Sequence, residues 1–507
     1  MSAKFSFSRS SFAHSIRMTL CLCVAALTAL PAAESNPVFR AGADRADITP
    51  DLGTPIPGGF LPPLATHIHD PLHVRTLVLD DGSTRLAFVV CDIAALPLAV
   101  CDEAKRRVKE KTGLPGSHIV ISATHTHSAG AGFRMEGNDI SKIIDRDGFY
   151  PPPTVPFTPY QDFIARRIAD SVQNAINRLE PARIGWGAGR VPDQVFNRRW
   201  FVASEANRRS PLGGFDQVRM NPRPAAPDLI KPAGPTDPEV AFLAVETRHG
   251  RPLALLANYS LHYVGRGNPT DISADYFGMF AERIGELLGA SGDGPRFVGI
   301  MSNGTSGDIT GIDASKPLSV EAPYVKMRRV ANIIAAEVYR AYQTVAFQNW
   351  VKLDARYEDL FLRPRQATPE MVAYAHKVLA RPTGEPAWHS LEAFIARFVL
   401  VGAKAPERAR VPLQAFRVGD VSIGAIPAET FAETGLDLKA RTPVGKTFTM
   451  SLANGWFGYM PTPAQHENGG YETWFGVNRL EKEAAPKMVG ELLRMFASMR
   501  SGTTGTE

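Results

Sequence analysis

Short apolar runs alternate along this chain with longer stretches in which apolar residues recur every three or four positions. The short runs cover residues 76–79, 86–91, 118–122, 240–246, 253–258, 297–301 and 421–425 and read as buried strands. The helical pattern occupies residues 102–111, 160–179, 324–342 and 479–499. The alternation predicts an α/β protein, with mixed β-sheets flanked by helices. Seven prolines between residues 206 and 238 argue against a regular element there. A second irregular stretch spans 134–159. No repeat, low-complexity tract or flexible linker divides the chain, so residues 34–507 read as one domain.

The amino terminus has a different pattern. Lys4, Arg9 and Arg17 precede an apolar run over residues 18–30, and Pro31-Ala32-Ala33 precede Glu34, with no acidic residue before it. A basic start, a short apolar core and small residues describe a secretory signal peptide over residues 1–33, so the mature protein is expected to be secreted or periplasmic. The run is too short for a comfortable membrane span. No other stretch is long and apolar enough, so no integral membrane segment is expected after the signal is removed. Cys21 and Cys23 fall within the signal. Of the remaining two cysteines, Cys91 ends an apolar run and reads as a buried free thiol, with a Cys91–Cys101 disulfide as the alternative.

Composition narrows the class. Hydrophobic residues make up 44% and charged residues 21%, which excludes a disordered chain. The 43 glycines and 40 prolines have no three-residue period, which excludes a collagen-like fibre. Three of the positive charges behind the formal net charge of +5 lie in the signal, and no basic stripe follows, so no nucleic-acid partner is expected.

Candidate chemistry gathers where apolar runs end. Ser122-Ala123-Thr124-His125-Thr126-His127-Ser128-Ala129-Gly130 follows one run, and strand geometry would turn His125 and His127 to one side. Two converging imidazoles suit a metal or an acid–base site, although the spacing equally fits two polar loop histidines. His262 stands just beyond another run. Ser302-Asn303-Gly304-Thr305-Ser306-Gly307-Asp308-Ile309-Thr310 follows a third, where small residues allow close backbone approach or simply form a tight turn. Glu429 ends a fourth, as a ligand or as an acid at a helix start. Asn454-Gly455-Trp456-Phe457-Gly458-Tyr459-Met460-Pro461-Thr462 and Gly469-Gly470-Tyr471-Glu472 are rich in glycine and aromatic residues.

In this order, these segments resemble the neutral/alkaline non-lysosomal ceramidase family. So does the opening Ala41-Gly42-Ala43-Asp44-Arg45-Ala46-Asp47-Ile48-Thr49-Pro50. The resemblance runs from about Phe39 to Phe496 and implies that family's catalytic domain, without its carboxy-terminal immunoglobulin-like domain. It implies one Zn2+ per chain held by His125, His262, Glu429 and Tyr459, a set compatible with zinc. It places His127, Arg198, Thr310 and Tyr471 in catalytic positions around the reacting carbonyl, and Asp92 near them. Two departures are visible. Thr310 stands where the family has serine in Gly-Asp-x-Ser, and Ala129 replaces the proline of the histidine motif. The resemblance implies a zinc-dependent amidohydrolase acting on a small-molecule, lipid or glycan substrate, with ceramide or a related N-acyl or ester compound cleaved by activated water. A polysaccharide-acting lyase or deacylase, or an exported binding protein on the same fold, is the alternative class. The oligomeric state is not legible.

Overall fold

The computed structural model describes residues 37–58, 62–133, 156–290, 297–382, 384–443 and 445–500. The signal-peptide reading over residues 1–33 and most of the irregular stretch 134–159 lie outside these. From Pro37 onward the chain forms one compact unit.

Two sheets dominate. The first holds β1 (Arg40–Asp47), β2 (His73–Asp80), β3 (Arg85–Cys91), β4 (Ile119–Ala123), β5 (Glu180–Arg190), β6 (Glu239–Thr247), β7 (Pro252–Tyr259) and β8 (Val298–Asn303), in the order β8-β7-β6-β5-β1-β2-β3-β4. The second holds β9 (Leu353–Leu362), β10 (Ala409–Val418), β11 (Val421–Ala425) and β12 (Lys446–Met450), in that order. Most neighbours are antiparallel, but β3/β4, β7/β8 and β11/β12 run parallel. Each parallel pair needs a crossover. Helices supply all three: α1 (Leu98–Thr112), α3 (Asp275–Leu287) and α7 (Ala432–Arg441), while α2 (Pro159–Asn177) and α4 (Val325–Tyr342) follow β4 and β8.

Strand periodicity sorts the core into layers. On β3, Ala87, Val89 and Cys91 face α1 and α2, while Leu86, Phe88 and Val90 face the second sheet. There Phe416 of β10 and Ile423 of β11 meet them, with Phe88 and Phe416 ring centroids 5.2 Å apart. Helices α3 and α4 cover the other half of the outer face, packing against β6 and β7. Helix α8 (Ala484–Arg500) covers the far face of the second sheet. The result is helices, sheet, sheet and helix, which agrees with the α/β reading. Cys91 and Cys101 are both buried free thiols.

Two readings need correction. The proline-rich stretch 206–238 is not free of regular structure. Val218–Met220 and Leu229–Pro232 flank Arg199–Val202 in a three-stranded sheet. Leu229–Pro232 is an edge strand, where a proline lacking its N–H is tolerated. The last helix starts at Ala484 rather than 479, because Leu480 bridges to Pro364 and the Glu481 amide donates to the Arg363 carbonyl.

The three parallel pairs send their carboxyl-terminal ends into one region. Residues 451–454, just after β12, tie it together. Ser451 donates to the Asn303 carbonyl at the end of β8, Ala123 of β4 donates to Leu452, and Asn454 donates to Ile121. The two outer strands of the eight-stranded sheet are thus joined through one segment.

Candidate metal centre and cavity

His125 lies two residues past β4, in the left-handed region at φ 73°. Its amide donates to Ile93 and its Nδ1 meets the Ala94 carbonyl at 2.6 Å. His262 stands three residues past β7, with Nδ1 3.0 Å from the Ser306 carbonyl. A carbonyl at Nδ1 fixes the proton there and leaves the Nε2 lone pair facing inward. Both Nε2 atoms look toward Glu429, which opens the short strand Glu429–Thr430 after β11. Glu429 Oε2 is 3.2 Å from Nε2 of His125 and 3.9 Å from that of His262. Glu429 Oε1 accepts from Trp456 Nε1 at 3.0 Å, whereas Oε2 is buried with no donor of its own. Tyr459 begins the strand paired alongside, and its hydroxyl adjoins the Glu429 carboxylate.

His127 completes the group. Its Nε2 lies 3.2 Å from that of His125, and the ligand atoms of His125, His127 and His262 all fall within 4.8 Å of one another. The two histidines of the motif therefore converge, but by a turn beyond the strand rather than by the pleat. Thr126 Oγ1 donates to the Ser273 carbonyl, Ser273 donates back to Ser128, and Asn303 Nδ2 donates to the Thr124 carbonyl. The His127 ring stacks on Tyr263 at 3.8 Å. A Cβ on Gly58 would lie 2.8 Å from His127 Cβ, so only glycine fits there.

Burial sets the protonation states. It pushes His127 and His262 well below the usual imidazole range, helped by the neighbouring His125 ring and the Arg198 guanidinium. Burial also raises the Tyr459 phenol, against Arg198. Burial alone would raise Glu429 too, but His125, Tyr459 and Trp456 outweigh it and hold the carboxyl at about 2. A lone-pair nitrogen and a carboxylate oxygen 3.2 Å apart, both buried, repel unless a proton or a metal ion sits between them. Two imidazoles, a carboxylate and a phenol form a donor set that fits zinc.

Arg198 reaches the group from the opposite side. Its NH1 is 3.4 Å from His262 Nε2, and Nε donates to Glu472 Oε1 at 2.8 Å. Glu472 Oε2 takes Arg199 NH1 at 2.6 Å, so one wholly buried carboxylate serves two guanidinium groups. Arg198 NH2 is buried and has no partner. Above these residues opens a cavity of about 220 Å³. Its polar lining includes His125, His127, Arg198, Glu429, Tyr459 and Tyr471, and its apolar lining includes Phe133, Met220, Phe394, Phe398, Trp456 and Val477.

Residues 39–314 match the family described as neutral/alkaline non-lysosomal ceramidase, N-terminal. The chain belongs to this family. A stretch of 184 residues is 28% identical to a neutral ceramidase of Pseudomonas aeruginosa, covering 35% of this chain and 26% of that protein. The crystal structure of neutral ceramidase from Pseudomonas aeruginosa superposes with a TM-score of 0.66 at 18% identity, over 93% of this chain and 76% of that one. A ceramidase solved in complex with C2 gives the same score and identity, over 92% and 76%. At that identity the likeness establishes the fold.

Within this ceramidase-family chain, the structure brings together His125, His127, His262, Glu429, Tyr459, Arg198 and Tyr471. It does not bring Thr310 into the cavity lining. Thr310 is half-buried and pairs with Phe196 across the two-residue strand Ile309–Thr310. The loop before it braces its neighbours. Asp308 accepts from Asn197 Nδ2 and the Ala432 amide, and burial lifts its carboxyl to about 6. A Cβ on Gly307 would lie 2.3 Å from the Glu429 carbonyl, so this glycine admits the strand that carries Glu429. Asp92 is wholly buried and paired with Arg75, away from the cavity lining. Sequence reasoning assigned no role to Trp456, Tyr263, Gly58 or Glu472. The glycine- and aromatic-rich segments holding Trp456 and Glu472 were the signal available.

Proposed function

We propose that this chain is an exported zinc-dependent hydrolase that cleaves an N-acyl amide bond, in ceramide or a related N-acyl or ester substrate. The observation that carries the reading is the meeting of the buried Glu429 carboxylate with the Nε2 atoms of His125 and His262, at 3.2 and 3.9 Å. His125, His262, Glu429 and Tyr459 would hold the ion. Bound there, zinc polarises a carbonyl and lowers the pKa of water.

The residues around the ion divide the remaining work. His127, neutral and stacked on Tyr263, is placed to take a proton from attacking water and return it to the leaving nitrogen. Water adds to the carbonyl carbon, the carbon–nitrogen bond breaks, and a carboxylate and an amine result. The unpartnered Arg198 NH2, with the Tyr471 hydroxyl, would receive the charge that develops on the carbonyl oxygen. Glu472 holds Arg198 in that orientation, and the apolar side of the cavity takes the acyl group. We also propose processing near Ala32 or Ala33, which amino-terminal sequencing of protein from the native host would reject by finding Met1.

The test is a substrate screen of the purified mature chain with and without a metal chelator. Chelator-sensitive release of a carboxylate from an N-acyl compound supports the reading. An unsaturated product, or turnover that survives complete metal removal, rejects it.

A further inference from the structure

The segment 471–479 carries Tyr471 and Glu472 at one end and supports Tyr459 at the other. There the Tyr459 amide donates to the Val477 carbonyl at 3.0 Å, and the Tyr459 carbonyl accepts from Asn478 Nδ2 at 3.0 Å. Tyr459 is thus paired with Glu429 on one flank and held by Val477 and Asn478 on the other. Between its ends the segment turns sharply. The Val477 and Asn478 amides both donate to the Trp474 carbonyl, and Gly476 takes φ 85°.

Arg365 closes this turn. It follows β9, where Pro364 bridges to Leu480 and the Arg365 amide donates to the Arg479 carbonyl at 2.9 Å. Its side chain then folds back over the segment. One nitrogen, NH1, donates to the Thr473 carbonyl at 2.5 Å and to Asn478 Oδ1 at 3.3 Å, with the guanidinium 5.3 Å from the Phe475 ring centroid. A donor at Oδ1 decides that the NH2 end of the Asn478 carboxamide faces Tyr459. Burial lowers Arg365 to about 10, with no carboxylate among the described residues close enough to raise it. A cation that gives up water for neutral acceptors is costly to keep. Beyond Arg365 the chain forms α5 (Pro369–Leu379) and α6 (Glu392–Gly402), and α6 packs against the same turn. A Cβ on Gly402 would lie 2.3 Å from Phe475 Cε1. That packing is apolar, whereas Arg365 ties the two ends of the turn together.

We propose that Arg365 is a positioning residue for the metal centre: by holding the Thr473 carbonyl and the Asn478 carboxamide it fixes the backbone of Tyr459, and with it the phenol beside Glu429. The inference rests on the assignment of Tyr459 to the ligand set above.

The experiment compares the mature parent chain with Arg365→Met and Arg365→Lys, each with a thermal melt to establish that it is folded. Methionine removes the donor. Lysine keeps a cation and, because one nitrogen serves both acceptors, can donate to both. Hydrogen–deuterium exchange of the metal-free chains reads the Tyr459 amide, and competition with a chromogenic chelator reads zinc affinity. In Arg365→Met the amide should exchange about tenfold faster or more, and zinc should bind about 10- to 100-fold more weakly. Arg365→Lys should recover most of both. In a Tyr459→Phe background, Arg365→Met should no longer change zinc affinity, whereas a general loosening of the fold would weaken it there as well. If Arg365→Met does not fold, Arg365→Gln takes its place in the same comparisons. Unchanged exchange or unchanged zinc affinity in the folded variant, no recovery with lysine, or a full effect in the Tyr459→Phe background overturns the inference and leaves the metal reading intact. If the parent itself binds no zinc, the metal reading fails and exchange alone decides. Faster exchange at Tyr459, recovered by lysine, then sustains Arg365 as the residue that positions Tyr459, and unchanged exchange overturns it.

Discussion

The indole Nε1 of Trp456 lies 3.0 Å from Glu429 Oε1, which turns Oε2 toward His125 and His262. Hydrogen bonds of this kind orient a ligand before the metal arrives. Trp456→Phe keeps most of the apolar wall and removes the donor. Zinc affinity should fall by about 10- to 100-fold, measured by competition with a chromogenic chelator. Unchanged affinity would show that Glu429 is oriented by other contacts.

Metal content gives the most direct reading of the centre. About one zinc per chain is expected in the parent, because four suitable donors meet at one point. His125→Ala and His262→Ala each remove a donor and should lose most of the metal after dialysis. Elemental analysis finding full zinc in both variants would remove these residues from the ligand set.

Glu472 holds two guanidinium groups at once, so its replacement separates orientation from stability. Glu472→Ala leaves Arg198 and Arg199 buried without their counter-charge, a change expected to cost about 3–5 kcal/mol in urea unfolding. Glu472→Gln keeps hydrogen-bonding capacity while weakening the hold on Arg198. It should lower kcat more than it raises KM, with zinc content unchanged. A Gln variant with parental kcat would place Arg198 outside the reaction.

Thr310 tests the family resemblance. Removing a hydroxyl that donates to developing charge typically costs about 10²–10³ in rate, but Thr310 pairs with Phe196 and does not line the cavity. Thr310→Val and Thr310→Ser should therefore both turn over at close to the parental rate, and a loss of that size in Thr310→Val would return Thr310 to the site. A Val variant as fast as the parent would make Thr310 a packing residue.

Burial, with help from Arg75 and Arg45, drops His73 to about 3. The folded protein thus binds fewer protons at this site than the unfolded chain between pH ~6.5 and about 3. Its contribution to stability is present above pH ~6.5 and is lost as pH falls through that window. Asp275 and Asp308, both raised to about 6 by burial, act in the opposite direction over the range ~3.9 to 6. Only a difference between variants isolates the histidine. Urea unfolding of the parent and His73→Asn at pH 4 to 7 should show a shallower loss toward acid in the variant. Parallel curves would refute the assignment.

The strands that the sequence revealed were those with continuous apolar runs, such as β3 and β6, where both faces are covered. β5 stayed hidden because Gly185, Gly187 and Gly189 replace side chains along it. Cβ atoms there would lie 2.3 Å from Val345 Cγ1, 2.5 Å from Phe242 Cζ and 2.5 Å from Glu337 Cγ. The strand is defined by what its neighbours insert into it, which hydrophobicity does not register. β9 was hidden for another reason. It is an edge strand, and its half-exposed Asp354, Arg356 and Asp359 break the apolar pattern. At the site, residues standing at strand ends were legible because chemistry and apolar runs adjoin there. Trp456 and Glu472 act through other side chains, and only the folded arrangement reveals such partners.

The segment that joins the two outer strands also sets an order in time. Asn454 pairs with Ile121 across 333 positions of sequence, so the loop bearing His125 finds its neighbours only after the chain has been made through Asn454. Contacts that distant close late, since the intervening chain must already be arranged. The two histidines belong to the early part of synthesis, and Glu429 and Tyr459 to the end. A nascent or truncated chain ending near residue 314 would hold its imidazoles with no carboxylate or phenol to complete the set. Completion of the candidate metal centre therefore waits on synthesis through Tyr459.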